Sequence, residues 1–312
     1  MLPALVLTAG LGARLDPITR LVAKPAVPLG GRTLVERVLR WLAGQGVTDA
    51  VLNLHHRPSS VTGVVGDGTH LGVRVRYSWE DPVLGSAGGP RHALPLLDTD
   101  TFLIVNGDTL CDVDLAAMTA AHAASGARVT MAVVPNPAPL HYNGLALRDD
   151  RIVGVIPRGR AEPSWHFVGV QIASASVFAA LPDGEPAESV HGIYQPLMAG
   201  PNVEVAGYPV SAGFYDVGTP RDYLATALAV ANGATIEPGA VVGQGARITR
   251  TVVWPGATIG EGAVLDDCIV TNVEIPPDFR AEGAIILPAA LCQDEDTRAQ
   301  RVGDLALFKI DR

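Results

Sequence analysis

The densest chemistry in this sequence lies near its start. There Ala9-Gly10-Leu11-Gly12-Ala13-Arg14-Leu15-Asp16-Pro17-Ile18-Thr19 is followed by Lys24-Pro25-Ala26-Val27-Pro28. A glycine-rich turn leaving a strand lets backbone N–H groups approach phosphate oxygens closely. Arg14 offers a planar fork of donors suited to the β and γ phosphates of a triphosphate, and Lys24 a compact charge suited to its α-phosphate. The chain holds 21 arginines but only two lysines, Lys24 and Lys309. Where arginine serves as the general positive charge, a lysine inside a dense motif points to a chemical requirement. Two other phosphate-binding patterns do not fit. A dinucleotide fingerprint needs glycine where Leu15 stands, and a Walker-type loop needs Gly-Lys-Ser/Thr, which is absent.

Such a turn needs a strand before it and a sheet beneath it. Residues 4–8 form a continuous apolar run ending at the glycines. Thr33 opens a predicted helix, with Glu36 three residues on as a capping box. Leu34, Val35, Val38, Leu39 and Leu42 share one face of it, and Gly44 and Gly46 end it. Residues 50–54, 73–78, 101–105 and 129–134 read as further strands. Strands alternating with helical patterns predict an α/β fold, a doubly wound and mainly parallel sheet covered on both faces. Ligands bind such sheets at the carboxyl ends of the strands. The Gly10 turn and Asp108 both lie at such ends.

From about Ala234 the texture changes. Ile236, Val242 and Ile248 are six residues apart, as are Val253 and Ile259, with Gly239, Gly245, Gly256 and Gly262 between them. This is the pattern of a parallel β-helix with one flat face per hexapeptide, and it resembles the left-handed hexapeptide-repeat helices. The segment supports about three coils. The expected organisation is residues 1–232 as the α/β domain, 233–292 as a short β-helix, and 293–312 as a tail that docks through Leu305, Leu307, Phe308 and Ile310.

The 312 residues carry a formal net charge of −9, which argues against nonspecific nucleic-acid binding. Apolar residues make up 48%, a globular proportion, and no apolar run approaches the roughly 20 residues that cross a bilayer. The N-terminal apolar run lacks a basic region before it and reads as a buried strand, not a signal peptide. Cys111, Cys268 and Cys292 have no metal-ligand spacing, and an odd number cannot complete a disulfide framework. Reduced thiols in a cytoplasmic protein are expected. His141, His166 and His191 have no ligand spacing either and read as surface or core histidines.

The run G-x-G-x-R-L-x-P-x-T…K-P-x-x-P resembles the signature of sugar-1-phosphate nucleotidyltransferases. The resemblance continues, in order, through Leu84-Gly85-Ser86-Ala87-Gly88-Gly89, Asn106-Gly107-Asp108, Phe167-Val168-Gly169-Val170 and Asp216-Val217-Gly218-Thr219-Pro220. It covers roughly residues 1–230, and the hexapeptide tail is common in the same family. The resemblance implies that Arg14 and Lys24 act in catalysis, and that Ala9, Gly10, Gly12, Gly85, Ser86 and Gly88 bind the nucleotide, the last three in a nucleobase loop. Glu80 stands five residues before Gly85, where some relatives place a base-reading side chain. Asp108 and Asp216 are the implied ligands of a Mg²⁺ cofactor. Asn143, Gly144 and Gly169 are implied at the sugar. Many relatives carry Glu-Lys-Pro to bind the sugar phosphate. Here the text is Val155-Ile156-Pro157-Arg158-Gly159-Arg160, and Arg158 is the expected substitute.

The implied reaction joins a nucleoside triphosphate to a sugar 1-phosphate and releases pyrophosphate. The loop and tail lean towards GTP and a mannose-type sugar. The text GDGTHLGVRVRYS and FLIVNGD keeps open a uridylyltransferase acting on an amino-sugar 1-phosphate such as N-acetylmuramate 1-phosphate. A noncatalytic paralogue that binds an NDP-sugar would be expected to have lost Arg14, Lys24, Asp108 or Asp216, and none is lost. An acyltransferase would need a histidine within the repeats, and none lies between Ala234 and Pro288. No candidate catalytic residue falls in the repeat segment, so it is expected to serve assembly into a homo-oligomer.

Overall fold

The computed structural model describes residues 1–211, 213–231, 233, 235–292 and 296–311. Asn232 at the expected domain boundary, Ala234 at the start of the repeats, Gln293 at the start of the tail and Arg312 lie outside the described residues. Two compact units form, one from Met1–Gly10 with Glu36–Phe214 and the other from Leu11–Val35 with Tyr215–Arg312.

The first unit carries β1 (Ala4–Leu7), the body of α1 (Leu34–Gly44), β2 (Asp49–Leu54), α2 (Pro58–Val65), β3 (Arg74–Trp79), α3 (Gly85–Leu97), β4 (Thr101–Asn106) and β5 (Thr109–Cys111). It continues with α4 (Leu115–Ser125), β6 (Val129–Pro135), β7 (Gly144–Arg148), β8 (Arg151–Ile156), β9 (Trp165–Ser174), α5 (Ser176–Ala179), α6 (Gln195–Ala199) and β10 (Val205–Pro209). Period-two alternation accounts for the burial of both sheet faces. Leu5 of β1 joins a core with Val51, Ile104 and the α3 residues Ala87, Ala93 and Leu97. Ala4 and Val6 point the other way and are equally buried. The predicted apolar face of α1, from Leu34 to Leu42, is buried throughout.

The sheet order is β3-β2-β1-β4-β9-β6-β10-β8-β7. The α/β architecture stands, and the parallel pattern holds for β3, β2, β1 and β4 and again for β6 with β10. Elsewhere the sheet is mixed, since β9 runs antiparallel to both β4 and β6, and β8 to β7 and β10. One cause is local. Arg148 pairs with Arg151 around Asp149 and Asp150, whose φ angles are 45° and 62°. Two left-handed residues in succession make a tight hairpin turn, which returns the chain antiparallel.

The second unit gathers residues 11–35 with the C-terminal part of the chain. Residues 11–35 form helical turns at Ala13–Leu15, Ile18–Arg20 and Lys24–Ala26, then a hairpin bridged between Pro28 and Thr33. After β11 (Phe214–Asp216) and α7 (Pro220–Ala231) come three coils. They are β12 (Thr235–Ile236), β13 (Val241–Val242), β14 (Arg247–Thr249); β15 (Val252–Val253), β16 (Thr258–Ile259), β17 (Val264–Asp266); and β18 (Ile269–Val270), β19 (Glu274–Ile275), β20 (Arg280–Glu282). Their strands stack in parallel, and β21 (Ala284–Pro288) extends the first face. Val253, Ile259, Leu265, Val270 and Ile275 fill the interior. In the first coil Ile236 and Val242 are 49% and 38% exposed. Their strands have a stacked neighbour on one side only. The tail does dock: β23 (Leu305–Lys309) adds antiparallel to β21 and β22 (Ala299–Val302) adds antiparallel to β23, with Leu305, Phe308 and Ile310 buried.

The expected cut near residue 232 does not coincide with the division into units, which falls after Phe214 and moves residues 11–35 to the C-terminal side. Hydrogen bonds supply the reason. Tyr223 donates its hydroxyl to Pro28 O at 2.6 Å, Trp254 donates Nε1 to Tyr223 at 2.8 Å, and Glu237 accepts from the Gly30 and Gly31 amides.

Candidate active site

In the first unit the turn after β1 is pinned by Asn53. Its side-chain oxygen accepts the Thr8 amide at 2.6 Å and the Ala9 amide at 3.3 Å, and its own carbonyl accepts the Thr8 hydroxyl. The Asn53 amide in turn donates to Glu80 Oε1 at 2.8 Å, while Leu84 N–H donates to Glu80 Oε2 at 2.8 Å. Glu80 is 5% exposed. Sequence reading expected it to face a base. Instead both its oxygens are engaged by the protein, where they hold the Ala9 turn and the start of α3 in register.

The expected nucleobase loop also changes character. Residues 85–89 are the opening turns of helix α3. The Ala87 and Gly88 amides donate to Ala187 O at 2.9 and 3.3 Å. A Cβ on Gly88 would lie 2.4 Å from Glu185 O, and one on Gly89 would lie 2.7 Å from Glu80 Oε1. These glycines are therefore required by close packing, whatever else they do. Ser86 donates to Glu188 Oε2 at 2.9 Å and accepts the Ser189 amide at 2.9 Å.

Ser86, Asn143, Gly144, His166, Glu188, Ser189 and His191 line one cavity of about 330 Å³. Asn143 also accepts the Arg158 amide at 3.0 Å, while the Arg158 side chain is exposed. Gly169 packs against Asn106 of β4, at a built Cβ distance of 3.1 Å. Asp108, half-buried just beyond β4, accepts the Thr109 hydroxyl at 3.2 Å. His166 and His191, read from sequence as surface or core residues, belong to the cavity wall. The His166 ring lies between Tyr142 and Phe214, with centroids 4.6 and 5.2 Å away. Burial holds its pKa below the ordinary histidine value, so it is neutral at neutral pH. The cavity residues 188–191 were missed because they carry no motif. They open a π-helical turn at Ser189–Tyr194, a feature common at functional sites.

In the second unit Gly12 is left-handed, with φ 62°. A Cβ there would meet Thr19 Cγ2 at 2.8 Å and Lys24 Cβ at 3.2 Å. Gly12, Thr19 and Lys24 are thus one packed group, and Lys24 is 8% exposed. Arg14 is exposed and its guanidinium lies against Gly218, 3.3 and 3.4 Å from a Cβ built there. Two separate stretches of the signature meet at that point. Asp222 accepts the Thr219 amide and hydroxyl at 2.8 Å each and so shapes the same turn. Asp216 is half-buried at the end of β11.

All three cysteines are free thiols. Burial pushes Cys111 and Cys268 up to about 12 and about 11, so neither is a thiolate nucleophile at neutral pH. Among the described residues no group of three or more His, Cys, Asp and Glu could hold a metal ion, and no helix is long and apolar enough to cross a membrane.

Residues 3–233 match the family described as nucleotidyl transferase. Mannose-1-phosphate guanylyltransferase from Mycobacterium tuberculosis is 29% identical over 286 residues, covering 91% of this chain and 79% of that protein. D-glycero-alpha-D-manno-heptose 1-phosphate guanylyltransferase from Aneurinibacillus thermoaerophilus is 27% identical over 222 residues, covering 70% of this chain and 94% of that protein. Among solved structures, HddC from Yersinia pseudotuberculosis complexed with GMP-PN superposes with a TM-score of 0.63 at 22% identity, over 73% of this chain and 98% of the other.

Proposed function

Because the chain belongs to the nucleotidyl transferase family, we propose that it is an enzyme joining a nucleoside triphosphate to a sugar 1-phosphate, with GTP and a mannose-type sugar 1-phosphate preferred. The observation that carries the reading is Lys24, one of only two lysines, packed beneath the left-handed Gly12 turn in the stretch where phosphate chemistry was expected. The preference for guanine and mannose is supported by the two relatives above, each named as a guanylyltransferase of a manno-configured sugar phosphate.

The attacking group is a phosphate oxygen of the sugar 1-phosphate, ionised at neutral pH, so no general base is needed. It forms a new bond to the α-phosphorus as the bond to the bridging oxygen of pyrophosphate breaks. Pyrophosphate leaves with that electron pair, and in-line attack inverts the α-phosphorus. Arg14 and Lys24 bind and orient the triphosphate and offset the charge that grows on it. The cavity at Ser86, Asn143, His166 and Glu188 receives the sugar ring, and Arg158 the sugar phosphate. Asp108 and Asp216 are hard oxygen donors, which suits Mg²⁺. That ion takes one or two carboxylates and completes its shell with water and phosphate, so a cluster of three acids is not required. When bound, Mg²⁺ would supply positive charge that offsets the negative charge of the phosphates.

The test is a pyrophosphate-release screen of four nucleoside triphosphates against several sugar 1-phosphates. GTP with mannose 1-phosphate should give the highest kcat/KM. Preference for UTP with an amino-sugar 1-phosphate would move the substrate assignment. Release from no pair would overturn the enzyme reading in favour of a regulatory NDP-sugar binder.

A further inference from the structure

Lys24 lies within a segment whose two ends are held by groups from the far end of the chain. At one end Asp16 and Arg20 close a ring of four charges with Asp296 and Arg298. Arg20 donates to Asp16 at 2.8 Å and to Asp296 at 2.6 Å, and Arg298 donates to Asp16 at 2.8 Å and to Asp296 at 3.1 Å. Both guanidinium groups lie over the Phe308 ring, 5.2 and 5.8 Å from its centroid. At the other end the chain turns through Gly30 and Gly31, with φ 61° and 80°. Their successive amides converge on one carboxylate: Gly30 N–H donates to Glu237 Oε1 at 2.7 Å and Gly31 N–H to Oε2 at 2.6 Å. Glu237 is 2% exposed, and its own amide bonds Val253 O, so it is presented by the first coils of the stack.

Burying a carboxylate is unfavourable unless its oxygens are satisfied, and an apolar residue would close the coil at less cost. Here both oxygens are spent on the hairpin that follows Lys24. We propose that Glu237 is a positioning residue for nucleotidyl transfer: together with the ring of Asp16, Arg20, Asp296 and Arg298, it holds the 16–31 segment so that Lys24 keeps the orientation the reaction needs. The proposal rests on Lys24 being a phosphate ligand, as read above. It gives the β-helix and the tail a part in the chemistry, where sequence reading expected assembly alone.

The experiment compares the intact wild type, Glu237→Gln, Lys24→Ala and the double variant by pyrophosphate release. The glutamine keeps the shape but turns an NH₂ towards one of the two amides. In Glu237→Gln, kcat should fall about tenfold, while KM for the sugar 1-phosphate stays within about twofold. The double variant should be no slower than Lys24→Ala, because a residue acting through Lys24 then has nothing left to act on. Amide hydrogen exchange over residues 28–33 should quicken in Glu237→Gln. An unchanged kcat, or losses that multiply in the double variant, would overturn the proposal. If Glu237→Gln does not fold, Arg298→Ala carries the same cycle at the other end, since its side chain is 61% exposed. The same non-additivity is expected there, and multiplying losses would count against it. A wild type that releases no pyrophosphate with any substrate pair overturns the functional reading itself, before any variant is compared.

Discussion

Arg14 is exposed and Lys24 is buried, so the two proposed phosphate ligands should respond differently to substitution. Arg14→Ala should lower kcat/KM by about 10²-fold, as for loss of a charge aimed at a developing anion, with the melting temperature unchanged. Lys24→Ala should lower it by a similar factor and also shift the melting temperature, because its stem packs against Gly12. Lys24→Met, which restores the apolar stem without the charge, should recover stability but not turnover. Steady-state kinetics and thermal melts on the three variants separate these effects. If they hold Mg²⁺ as proposed, Asp108→Asn and Asp216→Asn should each abolish turnover while leaving the circular dichroism spectrum intact, since the amide keeps the shape and loses the charge. Activity measured against Mg²⁺ concentration is the check. A variant with wild-type activity and metal dependence would show that its aspartate is not a ligand.

Among the elements, the four-charge ring makes a prediction about pH. Hydrogen bonds from Arg298 and Arg20 hold the Asp296 carboxyl down at about 2, and Arg20 foremost holds Asp16 below its ordinary value. Both folded-state pKa values are depressed. Their stabilising contribution is therefore complete above the unfolded carboxylate range near about 4 and is lost as pH falls towards about 2. The melting temperature of wild type should drop more steeply over that window than that of Arg298→Ala, at equal ionic strength. Parallel pH profiles would mean the ring adds nothing to folding. Helix α3 carries a different lesson. Its Gly-Ser-Ala-Gly-Gly opening read as a nucleobase loop by resemblance, although glycine is tolerated inside a helix at a cost. The glycines stand there because Glu185, Ala187, Asn53 and Glu80 press against the helix start.

At the scale of the whole molecule, the segment with Arg14 and Lys24 belongs to the same compact unit as the β-helix. Ending the chain after Ala231 removes Glu237, Asp296, Arg298 and Phe308, which contact residues 16–31 directly, and Trp254, which donates to the Tyr223 that holds Pro28. The shortened chain should lose most pyrophosphate release even where the sheet of the first unit still folds. Light scattering beside a pyrophosphate assay tests this, with the intact chain expected to be a homo-oligomer. A folded, fully active shortened chain would confine the β-helix to assembly.

Much of this was legible in the residues alone. The strands at Ala4–Leu7, Asp49–Leu54 and Thr101–Asn106 follow from short apolar runs, and the buried face of α1 and the three coils from periodicity. The physical reason is that a strand covered on both faces is buried along its length, whereas burial repeats every 3.6 or about six residues along the helix and the coils. The Arg14 and Lys24 stretch stood out because the residue types a phosphate site calls for lie close together in the chain there, within the residues that match the family. Three things were not. Glu80 turns inward because Asn53 and Leu84 claim its oxygens, which no local pattern records. His166 and residues 188–191 join Ser86 and Asn143 only once the sheet brings distant loops to one cavity. Glu237 reads as one more polar residue in a repeat. It acquires its partners from Gly30 and Gly31, 207 and 206 residues earlier, and pairing at that separation is decided by the packed chain and not by local sequence.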